Sequence, residues 1–308
     1  MSSSPFKNFL PYLVKLPAKA LADLDIAPVA DPSGGQWSTI GFVAPFKGEP
    51  MAVDLEGSGY LMTVQFNNRV LPAKVRNDAL DARIAKLESL QGRKASKKDF
   101  AELRDQVEFD LLPKAFIRRS TVPVLFRQDM MLICTSSQRK ADDIASLLVS
   151  TFPDLAPWPV QTKEPPVSIL TDIAISGSRD KFTASDSALL KGEGKRQIRI
   201  KNKAIADGDI HDLIDAESYS VRELGMWTGV DPDNPDITFS VSANLTFKSA
   251  ELPNIQSVSI GKDLFGFTVL CAQSFTNLVR DFVQVCGGMA DRPDAPAGAN
   301  NPDEDDEL

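Results

Sequence analysis

Apolar residues recur along this chain in two rhythms, and the switches between them divide it. Phe6 to Leu16, Gly41 to Pro45 and Tyr60 to Phe66 alternate or run apolar over short lengths between Gly and Pro positions, which predicts strands. A helical spacing follows. Pro72 stands at a first helical position, Leu80, Ile84 and Leu87 recur at i, i+4 and i+7, and Gly92 ends a helix predicted over 72–91. Ser96 with Asp99 three residues on has the form of a capping box, and Phe100, Leu103, Val107 and Leu111 mark a second helix, making a helical hairpin closed by Pro113.

Beyond it, Val122–Phe126 and Met130–Cys134 read as strands joined at Arg127–Asp129, and Arg139–Phe152 as a helix with Ala141, Ile144 and Leu148 inward. Prolines 153, 157, 159, 165 and 166 mark a joint. Past the joint, Ser168–Ile175 and Gln197–Ile200 predict strands, as does Ile237–Phe247, with Ile237, Phe239, Val241, Ala243 and Leu245 on one face. Phe265–Val285 predicts a strand passing into a terminal helix stopped by Gly287 and Gly288. The fold class is α+β, mixed sheets with a long helical hairpin. Its expected regions are an N-terminal sheet over 1–71, a basic hairpin with an α/β region over 72–152, a second α+β region over 153–289, and an acidic tail over 290–308 too poor in apolar residues to fold alone. No internal repeat is present.

Composition adds little until the charges are placed. At 308 residues and 43% apolar the chain reads as a globular protein. It has no apolar run long enough to cross a bilayer and no secretory leader, so the expected location is the cytoplasm. Net charge is −8, yet residues 69–140 hold 16 basic and 9 acidic groups, and residues 191–203 hold 6 and 1. Two cationic islands in an acidic chain imply a surface that holds a polyanion in one place and repels it elsewhere.

In the first island, helical projection sorts Arg76, Arg83 and Lys86 to one side and Asp78, Asp81 and Glu88 to the other. Arg93, Lys94, Lys97 and Lys98 crowd the hairpin turn. Lys114, Phe116, Arg118 and Arg119 mix cations with an aromatic, as nucleic-acid surfaces do, although a Phe among apolar neighbours packs inward more often than it stacks. The second island is Lys195, Arg196, Arg199, Lys201 and Lys203, and alternation would set the last three on one face of a strand. Phosphate contact rather than base readout is the expectation for such cation runs.

Enzymatic chemistry finds less to build on, and no catalytic or metal site and no cofactor is expected. The single histidine, His211, has no partner for a metal or nucleophile scheme and reads as structural. Cys134, Cys271 and Cys286 sit in apolar stretches as core thiols. Gly192-Glu193-Gly194-Lys195 lacks the spacer and the hydroxyl of a phosphate loop. Asp186, Glu193 and Lys195 fit a loose Mg²⁺-nuclease pattern that arises by chance, and this is the enzymatic alternative. An acidic adaptor acting through the tail is the interaction alternative.

A likeness to a known family runs through the same segments. Phe6-Lys7-Asn8, Gly41-Phe42-Val43-Ala44-Pro45, Val70-Leu71-Pro72, Ala79-Leu80 through Ala85-Lys86-Leu87-Glu88, Leu111-Leu112-Pro113-Lys114-Ala115-Phe116, Lys140-Ala141-Asp142-Asp143, Leu147-Leu148 and, farther on, Leu270, Leu278 and Gly287-Gly288 together resemble the recombination-associated RdgC family. That resemblance implies a ring-shaped homodimer on the nucleoid, duplex DNA held without sequence preference in a cationic hole, and restraint of a RecA-type recombinase. Single-strand binding stays open. Carried over by position, it makes Lys114, Phe116, Arg199, Lys201 and Lys203 hole-lining residues. Residues 217–220 (Glu-Ser-Tyr-Ser) depart from the family's Gly-Lys pair, and the tail is more acidic than the resemblance implies.

Overall fold

A computed structural model describes residues 4–15, 21, 26–203, 205, 212–214, 219–256 and 264–291. His211 and residues 292–308 of the tail lie outside the described residues. In chain order the elements are β1 (Leu10–Leu13), β2 (Ser38–Val43), β3 (Ala52–Asp54), β4 (Tyr60–Val70), α1 (Ala73–Gln91), α2 (Lys97–Leu111), β5 (Phe116–Arg127), β6 (Met130–Ile133), α3 (Gln138–Thr151), β7 (Trp158–Pro159), α4 (Pro166–Ser176), β8 (Ser178–Arg179), β9 (Phe182–Lys191), β10 (Gln197–Ile200), β11 (Ser220–Thr228), β12 (Ile237–Ser242), β13 (Phe247–Glu251), α5 (Pro253–Gln256) and α6 (Leu264–Val285). The class is mixed α+β with antiparallel sheets. Two compact units share them: Lys15–Gln128 with Arg139–Ala156, and Met1–Val14 with Asp129–Gln138 and Pro157–Leu308.

In the first, the hairpin unit, β4 is the central strand. It pairs β2 and β3 on one side and β5 on the other, from Tyr60↔Phe126 to Val70↔Phe116. Its apolar stretch is buried from Leu61 to Val64, and α3 turns Ala141, Ile144 and Leu148 inward. Phe152 beyond α3 meets Phe42 with ring centroids 6.0 Å apart, and the Lys140 ammonium lies 5.3 Å from the Phe66 ring centroid. The α1–α2 hairpin is much drier of core, since Ile84 is the buried residue of α1 and Val107 that of α2. Local chemistry holds it instead. Gly92 caps α1 in the left-handed region at φ 64°, which glycine adopts without a Cβ penalty.

The capping box at α2 is complete. Ser96 Oγ accepts from Asp99 N–H at 3.3 Å, and Asp99 Oδ2 accepts from Ser96 N–H and Oγ–H at 2.8 Å each. The Arg93 guanidinium at 2.8 Å, then the Ser96 N–H and hydroxyl, hold the Asp99 carboxyl well below the usual carboxylate range.

The second unit is built around aromatic rings. Strand β1 pairs β6 and β7, and the path β10-β9-β11-β12-β13 forms an antiparallel sheet with β8 on β9. Phe9 stacks on Phe247 (5.0 Å) and Phe275 (5.2 Å), while Phe282 meets Phe182 (5.6 Å) and Phe247 (6.0 Å) edge to face. Each such pair adds about 0.5–1.5 kcal/mol beyond the area it buries. The backbones of Phe9 and Phe247 also exchange two hydrogen bonds of 2.9 Å, which covers the outer edge of β13 and leaves that of β10 open among the described residues. Cys134, Cys271 and Cys286 are buried free thiols in this unit. Burial pushes Cys271 and Cys286 up to about 12 and Cys134 in the same direction, so they are inert core residues.

Four sequence expectations change. Ser168–Ile175, expected as a strand, lies in helix α4, which buries Ile169, Leu170, Ile173 and Ala174 on one side. A short apolar β-branched run fits either rhythm, and Pro166 at its first turn favours the helix. The strand expected over Ile237–Phe247 is a hairpin. It breaks after Ser242, Leu245 takes φ 58°, and Ser242 N–H bonds Thr246 O at 3.0 Å, so the alternation ran across a turn. Phe265 onward is helical throughout, because Phe267, Cys271, Phe275, Leu278 and Phe282 form a single buried stripe. The strand expected from Phe6 to Leu16 is confined to Leu10–Leu13.

Candidate nucleic-acid interface

The two cationic islands fall in different units. In the hairpin unit, the last residues of β4 pair the first of β5 in a ribbon flanked by β2 up to Asn68, and its two faces differ. On one face Arg69 donates to Leu112 O and Pro32 O at 2.5 Å each, and Arg119 reaches both Asp31 oxygens at 2.9 and 2.6 Å, so the cations of that face are already engaged. The opposite face carries Phe116 and Arg118 on β5, opposite Val70 and Asn68 on β4. Phe116 is 87% exposed and Val70 42%, and Arg118 makes no ion pair with a described residue. Lys114, in the 3-10 turn Leu112–Lys114 that leads into β5, is also exposed and without an ion pair there. The core position expected for Phe116 from pattern alone is thus overturned. Its strand runs on past the apolar part of the sheet, so no partner layer covers the ring.

The hairpin cations are largely committed. Arg76 pairs with Glu108 at 3.1 Å and Arg83 with Asp110 at 2.5 Å across the two helices, while Arg93 pairs with Asp99 at 2.8 Å. The sign-sorting visible on α1 therefore serves α2, which turns carboxylates toward it. Lys98 is exposed and sits 3.7 Å from Glu102, a weak surface pair. Lys86, Lys94 and Lys97 are exposed with no ion pair among the described residues.

In the second unit the other island lies on the β9–β10 arm, paired from Lys191↔Gln197 to Ala188↔Ile200. Gly192 N–H bonds Arg196 O at 3.1 Å to close the turn. A Cβ at Gly192 would come within 2.9 Å of the Tyr219 ring, so the absence of a side chain lets the buried tyrosine brace the arm. Lys195, Arg196, Arg199 and Lys201 are exposed and unpaired among the described residues, and so is Lys191. Lys191 was missed as a site residue although it belongs to the same charge run. The expected one-face alternation stops early: β10 ends at Ile200, and Asn202 at φ 55° turns the chain. Arg199 is strand-borne, whereas Lys201 and Lys203 are not; Lys203 N–H bonds Asp186 O at 3.3 Å.

The nuclease pattern is not assembled. Asp186 lies in β9 and Glu193 in the turn beyond Lys191, so five residues of strand separate Asp186 from the turn by about 16 Å. Ligands of one Mg²⁺ sit about 2.1 Å from it. No group of three or more His, Cys, Asp or Glu is gathered for a metal among the described residues. No described helix is long and apolar enough to cross a membrane.

What these surfaces can do chemically is hold phosphates by unpaired cations and offer an aromatic face to a base. The family model described as "Putative exonuclease, RdgC" matches residues 6–251. The recombination-associated protein RdgC of Pseudomonas fluorescens (strain SBW25) is 34% identical over 217 residues, 67% of this chain and 71% of its own length. That of Burkholderia cenocepacia is 34% identical over 193 residues, 61% of each chain. That of Neisseria meningitidis serogroup C (strain 053442) is 26% identical over 292 residues, 90% of this chain and 95% of its own. This chain therefore belongs to the RdgC family.

Proposed function

We propose that this protein binds double-stranded DNA through its phosphates without reading sequence, as a ring-shaped homodimer that encircles the duplex and restrains RecA-dependent recombination on the nucleoid. The observation that carries DNA binding is the open face of the β4–β5 ribbon, where an 87% exposed phenylalanine stands beside unpaired Arg118 and Lys114. An isolated Phe so exposed gains nothing for folding, whereas beside phosphate-binding cations it can stack on a base or wedge a step. The β9–β10 arm supplies a second set of unpaired cations within its own unit, and membership of a family whose relatives are named recombination-associated supports the recombination role.

The test is binding to linear and closed-circular duplexes of unrelated sequence across a salt series. With about six phosphate contacts, affinity should fall roughly 10³-fold between 50 and 200 mM salt, equally for every sequence. Binding that ignores salt, or that follows one sequence, would sink the reading. Sedimentation equilibrium checks the dimer, and a recombinase strand-exchange assay checks restraint. The word exonuclease in the family description gives a second reading; shortening of end-labelled DNA in Mg²⁺ that survives stringent purification would favour it.

A further inference from the structure

Outside the β9–β10 arm, four partly or fully exposed cations of the second unit have acid partners. Arg179 pairs with Asp172 at 3.3 Å, Lys181 with Asp281 at 2.7 Å, Lys248 with Glu223 at 2.5 Å and Arg280 with Asp129 at 2.5 Å. The β9–β10 arm gathers cations that have none. Its five exposed cations, Lys191, Lys195, Arg196, Arg199 and Lys201, have no ion-pair partner among the described residues, and Glu193 is the one carboxylate in the run 191–203. Charges on an edge strand also discourage pairing with another chain.

The densest run of carboxylates in the sequence is Asp303-Glu304-Asp305-Asp306-Glu307. Its point of departure is fixed. Lys163 N–H bonds Gly288 O at 3.0 Å, Thr162 bridges to Met289, and Ala290 N–H bonds Gln161 O at 3.0 Å. Twelve residues from Asp291 to Asp303 can span at most ~40 Å. For an arm within that reach, tethering gives an effective concentration of the order of millimolar, which lets a contact too weak to persist between separate molecules form within one chain. Asp and Glu are poor strand formers, which favours contact through side-chain charge over addition of a strand to the β10 edge.

We propose that residues 303–307 dock on the β9–β10 arm as an internal polyanion and compete there with phosphate. The competition rests on the DNA-binding reading above; the docking does not. Both are measured in the full-length chain, using a variant with Asp303→Asn, Glu304→Gln, Asp305→Asn, Asp306→Asn and Glu307→Gln. At 50 mM salt this variant should bind duplex about 3–10-fold more tightly than the unaltered protein, with the gap closing by 200 mM. A fluorescent peptide of residues 290–308 should bind the neutral-tail variant in low salt. Adding Arg196→Glu/Lys201→Glu should weaken the peptide at least ~5-fold, whereas Lys94→Glu/Lys97→Glu on the hairpin should leave it unchanged. The proposal is overturned if the peptide does not bind, or if the hairpin reversal weakens it as much as the arm reversal does. Peptide bound to the arm with no DNA binding at any salt would reject the DNA reading and keep the docking.

Discussion

The helical hairpin and the β9–β10 arm look alike as strings of lysines and arginines, yet they hold their charge differently. Across the hairpin, Arg76, Arg83 and Arg93 each meet a carboxylate, so much of the island's excess goes into joining α1 to α2. On the arm no described carboxylate reaches Lys191, Lys195, Arg196, Arg199 or Lys201. A tally of basic residues therefore overstates the hairpin as a phosphate surface and does justice to the arm. A phosphate arriving at Arg76 or Arg83 must displace a partner already in place, whereas one arriving at Arg199 displaces only water and counterions.

That contrast is open to direct attack. The largest effect should come from Arg196→Glu/Arg199→Glu/Lys201→Glu: about 100-fold weaker duplex binding at low salt, read by anisotropy titration. The slope of log affinity against log salt should also shrink, by about 0.9 for each phosphate that is no longer neutralised. Next, Phe116→Ala should weaken binding about 5- to 30-fold with no change in thermal midpoint, because the ring is exposed; a drop in the midpoint would mean that the ring packs after all. Glu108→Gln/Asp110→Asn should act in the opposite direction, releasing Arg76 and Arg83 and tightening low-salt binding by about 3-fold, while each broken surface ion pair lowers stability by less than about 1 kcal/mol. An unaltered affinity there would show that the hairpin does not touch DNA. Smallest is Ser96→Ala, which should lower stability by about 1 kcal/mol through removal of the cap and barely alter binding.

The capping pair also has a pH signature. The folded-state value of Asp99 is depressed, so its stabilisation is fully present above the ordinary carboxylate value of about 3.9 and is lost only as pH falls through the lower folded value. Acid titration near pH 4 should therefore leave the hairpin turn intact, as hydrogen exchange of the α2 amides would report.

Legibility in the sequence followed the range of the interactions. Pro72, Gly92 and the Ser96/Asp99 box act within one helical turn, and from them both hairpin helices can be placed to within a residue or two. The burial of Ala141, Ile144 and Leu148 is likewise a local periodicity. By contrast, Leu245 with positive φ sits in an unbroken alternation, and the apolar run of α4 is too short to declare its period. The family likeness and the charge runs led to Phe116 and to the arm, but whether a cation is free depends on which carboxylate lies across a gap. Glu108 is 32 positions from Arg76 and Asp31 is 88 from Arg119, distances at which spacing carries no information.

The ring cluster that joins Phe9 to Phe247, Phe275 and Phe282 also sets a timetable. Phe275 follows Phe9 by 266 positions, a wait of roughly 13–53 s at ribosomal rates of 5–20 residues per second. The hairpin unit is complete at Ala156 and can close in the meantime, whereas β1 and its flanking phenylalanines have no finished layer to enter until α6 is made. During translation this segment is therefore an apolar strand in waiting, with its aromatic surface open until the far end of the unit arrives.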